Sequence, residues 1–564
     1  MHKPGRIWRR MKRVALAIFL FISCFIIYMA CVCLVDPPNI SDQRSLHLER
    51  CEESPGFYTI QNNWFRKSNS GLYELYIEGA PFERGVIAGK LAKELVVRQE
   101  DYFCDQINKI IPSSVYRHFL KYFIGWFNRD LHRNITREYQ EEIYGISKSA
   151  DEKYLYIGSN YQRLLNYHAA HDIGHALQNM MLVGCTSFGT WGNKSKDQSL
   201  IIGRNFDFYV GDKFGEDKIV EFVNPSTGNK FMIVTWGGFI GAVSGMNEKG
   251  LTVTINSAKS DFPTGSATPV SIVAREILQY AKNIKEAQKI IAQRKMFVSE
   301  SFLIGSAADH KAVILEKTPN ELAIYDPGKN QILCTNHFQS TQLNSSVSNI
   351  KQMNESATNY RYQRLLELLN AQPVNTVTNT ISILRNRKGI QNVSIGNGNE
   401  KAINQLIAHH SIVFEPEKLL FWISTDPWQL GPFISYDLKK VFAMHGKHEN
   451  SEIYIDSLTI NADPFINTSE YQNFLKFRIY KQQIIEGNSL NPDSIITSNP
   501  DYYLTWTLTG DVLFNQHQYE KAAIYYQTAL RKIIATKKEE QYLRDQLKIC
   551  EEKNKKYHDS RNWN

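Results

Sequence analysis

The order of segments along the chain predicts an α+β fold built on antiparallel sheets. Three observations carry that prediction. Up to Gly184 the texture is mainly helical. From Cys185 onward short strand-like runs alternate with glycine turns. Helices then return as a block, about 357–408, before a closing hairpin at His410–Ser424. Strands and helices are thus grouped rather than alternated, which argues against a doubly wound sheet. A length of 564 residues, 43% hydrophobic and 12% aromatic, supplies ample material for a core.

The chain begins with a basic block, Lys3, Arg6, Arg9, Arg10, Lys12 and Arg13, and carries no acid before Asp36. Removing those six charges from the net +8 leaves +2, so the rest of the chain is near neutral and a nucleic-acid role is discounted. Val14–Val35 is an uncharged apolar run of about the 20 residues that span a bilayer. Basic residues before it predict that residues 1–13 stay cytoplasmic and that the remainder lies on the extracytoplasmic side, periplasmic or extracellular. A cleaved signal peptide, or lipidation at Cys24, Cys31 or Cys33, is the alternative to an uncleaved anchor at 14–35. Of the eight cysteines, only Cys51 and Cys104 suit a disulfide in an oxidising exterior. No Cys or His spacing fits zinc, and no metal or organic cofactor is expected.

Residues 36–56 read as a polar linker. Gly71–Ile77 reads as a strand, followed by a helix carrying Ile87, Leu91 and Leu95. Helices are predicted at 113–127, Tyr139–Ala150 and Asn160–Met181, so 57–184 is expected to be a helical unit. Beyond Cys185, strands are predicted at Ser199–Phe208, as a pair within Lys230–Val243 around Gly237-Gly238, at Leu251–Asn256, and within Ser301–Asn336. An amphipathic helix is predicted over Pro269–Arg294, with further helices at 357–371, 375–387 and 399–408. The main domain is placed at 185–464 and a helical region at 465–564. Within the latter, Trp506, Gly510, Ala522, Tyr526 and Ala529 fall at the offsets of a tetratricopeptide-like hairpin, 503–530. A single such repeat cannot bury both faces, so it should dock on the main domain, on the 467–486 helix or on a protein partner.

The candidate for chemistry is Cys185, which follows Gly184 at the head of a strand. A thiolate attacks carbonyls well but requires a base and oxyanion donors. No Cys-His-Asn triad can be assembled, and His337 at a strand end reads as structural. If the Gly184–Cys185 bond breaks, the freed α-amine, with a pKa of about 7.7–8.0, can serve as the base. The plainer alternative is that Cys185 is a small buried hydrophobe.

The surroundings of Cys185 resemble the N-terminal-nucleophile (Ntn) hydrolases. The chain is most similar to the acyl-coenzyme A:6-aminopenicillanic-acid acyltransferase family, with choloylglycine hydrolases and acid ceramidase-like amidases as cousins. The resemblance rests on ordered pieces over roughly residues 70–440. They are Gly184-Cys185-Thr186, Gly203-Arg204-Asn205-Phe206-Asp207, Gly245-Met246-Asn247-Glu248-Lys249-Gly250-Leu251 leading to Asn256, Cys334-Thr335-Asn336-His337, Arg361-Tyr362-Gln363-Arg364, Ser411–Pro416 and Gly431-Pro432-Phe433. It implies a four-layer αββα sandwich in which 57–184 is a pro-segment that stays bound after cleavage at Gly184/Cys185.

The resemblance also implies roles. Cys185 would be the nucleophile, and Asp207 would hold its amine or thiol in register. Arg204 would lower the thiol pKa and steer a polar substrate group. Asn256 would donate to the oxyanion, Asn336 would position the scissile amide, and Arg361 or Arg364 would complete the charge network. The plainer alternatives are a turn carboxylate for Asp207, an Arg204–Asp207 salt bridge, turn-forming asparagines and surface arginines.

The expected activity is that of a self-processing cysteine amidohydrolase or acyltransferase acting on a small-molecule N-acyl amide through an acyl-thioester. Outside the membrane, water is the abundant acceptor. The competing expectations are a non-catalytic envelope scaffold with an Ntn-like body and a thiol hydrolase that never cleaves itself.

Overall fold

A computed structural model describes residues 5–170, 172, 182–259 and 265–561 of the chain. It is a mixed α/β structure with two large sheets. The larger has eleven strands in the order Cys51–Ser54, Phe57–Ile60, Asn63–Lys67, Tyr73–Gly79, Ile219–Pro225, Phe231–Thr235, Ser244–Asn247, Leu251–Ala258, Ser299–Ser306, Lys311–Lys317 and Leu322–Tyr325. Its neighbours pair antiparallel except Tyr73–Gly79 with Ile219–Pro225, which are parallel. The smaller sheet has six strands in the order Gln331–Cys334, Thr186–Thr190, Ile201–Phe206, His410–Glu415, Leu420–Ser424 and Phe433–Asp437.

Side-chain alternation along the strands divides the core. On one face of the large sheet, Ile233, Val253 and Ile304 pack with Leu91, Ile143 and Ile277 of helices Pro81–Leu91, Arg137–Ser147 and Val270–Tyr280. On its other face, Phe222, Met232 and Leu303 meet Ile202, Ile412 and Phe414 of the small sheet. The far face of the small sheet, including Phe188 and Val413, packs against Leu365, Leu369, Ile381 and Leu384 of helices Thr358–Asn370 and Val377–Leu384. Nearly every position in the central strands is buried, because each sheet is covered on both sides.

Several expectations need correction. The segment 57–184 is not solely helical. Besides the expected strand, seen at Tyr73–Gly79, it supplies Phe57–Ile60 and Asn63–Lys67 to the large sheet, and the expected linker ends in the strand Cys51–Ser54. These residues are stabilised by pairing with one another and with Ile219–Pro225, a partner far away in sequence. The second strand expected near Gly238 begins only at Ser244. Gly238 has φ +82°, Trp236 stacks on Phe239, and Thr235 Oγ1 donates to Phe239 O, which makes a turn of that stretch. The 269–294 helix is two, Val270–Tyr280 and Ile284–Gln293, the second capped by the Asn283 side chain. No helix forms at 399–408. There Asn399 and Asn404 accept from Lys401 N and Leu406 N, and these side chain–backbone turns displace the helical pattern. The helix expected over Asn160–Met181 is seen at Asn160–His168, and residues 171 and 173–181 lie outside the described set. Cys51 and Cys104 are both free thiols.

Gly5–Val32 forms one helix whose apolar side chains face outward, and Arg10–Met29 within it is long and apolar enough to cross a membrane. At the other end, helices Ser469–Ile485, Tyr503–Asn515, Tyr519–Leu530 and Lys537–Arg561 follow in sequence. Phe465, Tyr471, Phe474 and Tyr502 pack on Leu406 and Leu430 of the main body. Ala522, Tyr526 and Ala529 pack with Leu543 of the last helix.

Candidate active site

Cys185 stands where a short ribbon, Leu182–Val183 against Phe208–Tyr209, hands the chain to the small-sheet strand Thr186–Thr190. Gly184 and Cys185 are held at their backbone groups and at the sulfur. Gly184 N donates to Asp207 O at 2.9 Å. Gly184 O accepts from Gln405 Nε2 at 2.7 Å. Cys185 O accepts from Arg361 Nη1 at 2.7 Å, and Arg204 Nη2 lies 3.5 Å from Cys185 Sγ. A Cβ at position 184 would sit 2.6 Å from Gln405 Nε2, so any larger residue there shifts that side chain.

Arg204 is placed by register. Ser187 pairs with Arg204, and Ile412 flanks it on the other side, at the centre of the small sheet. Its guanidinium lies 4.3 Å over the Phe206 ring, two residues along the same face. It donates to Val243 O and Ile255 O, each at 2.6 Å, and to Ser244 Oγ. His410 Nε2 lies 2.8 Å from that hydroxyl, and His409 Nδ1 lies 2.9 Å from His410 Nδ1. Burial drives both imidazoles well below the usual histidine range, so they are neutral. No ion pair joins Arg204 to Asp207: the strand ends at Phe206 and Asp207 turns away. Arg204 pulls the Cys185 thiol pKa down, as expected, but complete burial outweighs it and leaves the thiol at about 11.

Asp207 is fully buried. One carboxylate oxygen accepts from Gln405 Nε2 at 3.3 Å, and the other has no partner. Burial raises its pKa to about 7, against the opposing pull of Arg361 and Arg204. Glu300, also buried, has neither oxygen bonded, and burial with Asp172 nearby holds it well above the usual carboxylate range.

Arg361, not Arg364, joins the site. It donates to Cys185 O, to Thr186 Oγ1 at 2.8 Å and to Asn336 Oδ1 at 2.7 Å. Arg364 turns to Asn386, Asn392 and Glu367. Asn336 donates to Ser257 O at 2.9 Å. Asn256 accepts from Ser187 Oγ at 2.8 Å and donates to Cys334 O at 3.2 Å, so its amide bridges the two sheets. His337 bonds the hydroxyls of Thr335 and Thr358 and plays a packing role.

The residues that sequence reasoning missed are Gln405, Ser244 and His410. Gln405 falls in the stretch wrongly read as helix. Ser244 and His410 are brought to Arg204 only by strand pairing.

Cys185 is 1% exposed, so its sulfur is closed off from solvent. A small apolar cavity of about 40 Å³ is lined by Val96, Phe103, Leu164, Phe208, Trp236 and Phe239. A larger one, about 620 Å³, is lined by Arg385, Arg387, Lys388, Asp463 and Glu470, and contains none of the clustered residues. Among the described residues, no three His, Cys, Asp or Glu side chains are arranged to hold a metal.

Residues 192–427 match the family model of Acyl-coenzyme A:6-aminopenicillanic acid acyl-transferase, a span that holds the motifs of Arg204, Asp207, Asn256, Asn336 and Arg361 and begins after Gly184-Cys185-Thr186. An uncharacterised protein of Archaeoglobus fulgidus is 23% identical over 294 residues, 49% of this chain and 48% of that protein. Protein dcd1B of Dictyostelium discoideum is 23% identical over 193 residues, 34% of this chain and 36% of its own. The N-acylethanolamine-hydrolyzing acid amidase of Caenorhabditis elegans is 25% identical over 224 residues, 38% of this chain and 59% of its own. The chain thus spans roughly a third to three fifths of the length of these relatives. Among solved structures, the C. elegans amidase ortholog aligns with 15% identity and a TM-score of 0.30, covering 41% of this chain and 93% of its own. A mutant conjugated bile acid hydrolase from Clostridium perfringens aligns with 12% identity and a TM-score of 0.32, covering 50% and 97%.

Proposed function

We propose that the chain is a self-processing cysteine amide hydrolase or acyltransferase with Cys185 as its nucleophile. The observation that carries this reading is the fixation of the Gly184–Cys185 peptide by Asp207, Gln405 and Arg361, with Arg204 against the sulfur. Any buried backbone needs its N–H and C=O groups paired, but a merely structural cysteine does not need a guanidinium at its sulfur. The domain is read as a four-layer αββα Ntn sandwich, supported by the two facing sheets and the helices packed outside each. The match to the acyl-transferase family and the amidase among the relatives favour amides as substrates.

In the intact chain the site is latent. The thiol, at about 11, is protonated at neutral pH, and its own nitrogen is tied up in a peptide bond. Cleavage would free that nitrogen as an amine titrating near pH 8, able to take the thiol proton. Sγ would then attack the substrate carbonyl and form the S–C bond. Collapse would break the C–N bond, the leaving amine taking the proton from the ammonium. Water, or an amine in a transferase, would release the acyl group from the thioester. Arg361 would keep Asn336 oriented beside the substrate amide. For Asn256 to serve the oxyanion, its N–H must exchange the Cys334 carbonyl for the substrate.

The segment 57–184 is proposed to remain bound after cleavage, since it shares a sheet and a core with the rest. The helix Gly5–Val32 is proposed to anchor the enzyme with its domain on the extracytoplasmic side. Helices 503–515 and 519–530 are read as one tetratricopeptide-like hairpin, with Gly510 closing on Tyr526. The activity test is a release assay over a panel of N-acyl amides: wild type should liberate the amine, and Cys185→Ala should not. Equal release by both variants would defeat the assignment.

A further inference from the structure

Gln405 is buried in a stretch without regular secondary structure, and its side-chain amide points at the carbonyl before Cys185. The stretch is held in an extended, turning path. Asn404 N donates to Asn386 O at 2.8 Å, and Leu406 adopts φ +56°. The helical C-terminal region grips it from outside. Asn397 and Asn499 exchange two hydrogen bonds of 3.1 and 2.8 Å. Asn399 Nδ2 donates to Ile533 O at 2.9 Å, and Leu406 packs among Phe465, Phe474 and Tyr502. Gly396 fits flush on Tyr502, where a Cβ would lie 2.4 Å from that backbone. The C-terminal helices thus fix the segment that delivers Gln405.

We infer that Gln405 is the oxyanion donor for cleavage of the Gly184–Cys185 bond; this rests on the self-processing reading above. Nε2 already lies 2.7 Å from the oxygen on which negative charge would develop, and the same amide nitrogen contacts Asp207. The partnerless oxygen of Asp207 is free to take a proton. Cys185 Sγ gives its proton to Asp207 and attacks the Gly184 carbonyl carbon. The carbonyl electron pair moves to the oxygen, stabilised by the Gln405 N–H. Collapse breaks the bond to Cys185 N, which takes the proton from Asp207. Water then hydrolyses the thioester, leaving a Gly184 carboxylate and a free amino-terminal Cys185. A purely structural Gln405 would fill space and satisfy buried groups, but it would not affect the rate of this step once the fold is intact.

The test is self-cleavage of the full chain followed by pulse–chase in expressing cells for wild type, Gln405→Met and Gln405→Glu. The methionine keeps the shape and loses the donor. It should slow cleavage by about 10²–10³-fold, the scale of losing one oxyanion donor, with the folded precursor accumulating. The glutamate should cleave slowly at pH 7.5 and faster as acid protonates it and restores an O–H donor. Folded Gln405→Met precursor cleaving within threefold of wild type would overturn the inference. If the methionine variant does not fold, the glutamate decides: acid rescue supports the inference, and an acid response parallel to wild type overturns it. A wild-type chain that stays intact sinks the self-processing reading and this inference with it, a result distinct from a wild type that cleaves alongside an equally fast variant.

Discussion

Two sets of buried arginines sit in this molecule, and they are satisfied in opposite ways. Between the amino-terminal helices and the main body, Arg84 and Arg275 both bond the buried Glu142, at 2.5 and 3.1 Å. Those two guanidiniums hold the Glu142 carboxyl below its ordinary range despite complete burial. At the Gly184–Cys185 peptide, Arg204 and Arg361 have no carboxylate within ion-pair distance among the described residues; they rest on carbonyls, hydroxyls and an amide. Burial lowers the pKa of both, outweighing the more distant pull of Asp207. The first arrangement is closed and fastens two segments. The second leaves positive charge unmet beside a sulfur and a carbonyl, which suits it to an anion that appears only during reaction.

The sharpest way to break this comparison is to remove the anion from the closed set. Glu142→Ala should cost about 3–5 kcal/mol, because two buried cations lose their partner. In a Cys185→Ala background this is read by chemical denaturation. Cleavage per folded molecule, measured with Cys185 present, should stay within threefold of wild type. In the open set the effect should fall on rate. Arg361→Lys keeps the charge but cannot reach Cys185 O, Thr186 Oγ1 and Asn336 Oδ1 together. We expect self-cleavage to slow by about 10²-fold, or about 2.7 kcal/mol, on quantified gels.

Asp207 gives a pH-dependent test. Its folded-state pKa of about 7 lies above its unfolded value of 3.8, so the folded state holds this proton more tightly. Its stabilising contribution is complete below about pH 4 and is lost as pH rises to about 7. In the Cys185→Ala background, Asp207→Asn should therefore raise stability at pH 8 by about 2–4 kcal/mol relative to its effect at pH 4. No pH trend in that difference would remove the case for a raised Asp207 pKa. The smallest effect is assigned to Gly184→Ala. Its Cβ would push the Gln405 amide off the carbonyl, and cleavage should slow roughly tenfold through misplacement alone.

The sequence made the local parts of this arrangement legible. The strand Ile201–Phe206 with Arg204, the hairpin into Leu251–Ala258 with Asn256, and the closing hairpin at His410–Ser424 all carry short-range period-two patterns and turn residues. Arg361 and Arg364 could not be separated, because they lie within a turn of each other on one helix and differ only in what a distant strand presents. Gln405 was hidden for a different reason. Ala402, Ile403 and Leu406 imitate helical spacing, while Asn399 and Asn404 divert the backbone into turns and the C-terminal helices hold it there. The parallel pairing of Tyr73–Gly79 with Ile219–Pro225 has no local signature either, since it depends on a partner beyond the strand Thr186–Thr190.

The chemistry proposed for Cys185 depends on the chain breaking at its own Gly184–Cys185 bond. The direct measurement is intact-mass and amino-terminal analysis of purified wild type beside Cys185→Ala. Wild type should separate under denaturation into two chains, the second beginning at Cys185, and Cys185→Ala should remain one chain. A folded wild type that stays a single chain, or a Cys185→Ala protein cut at the same bond, would contradict it.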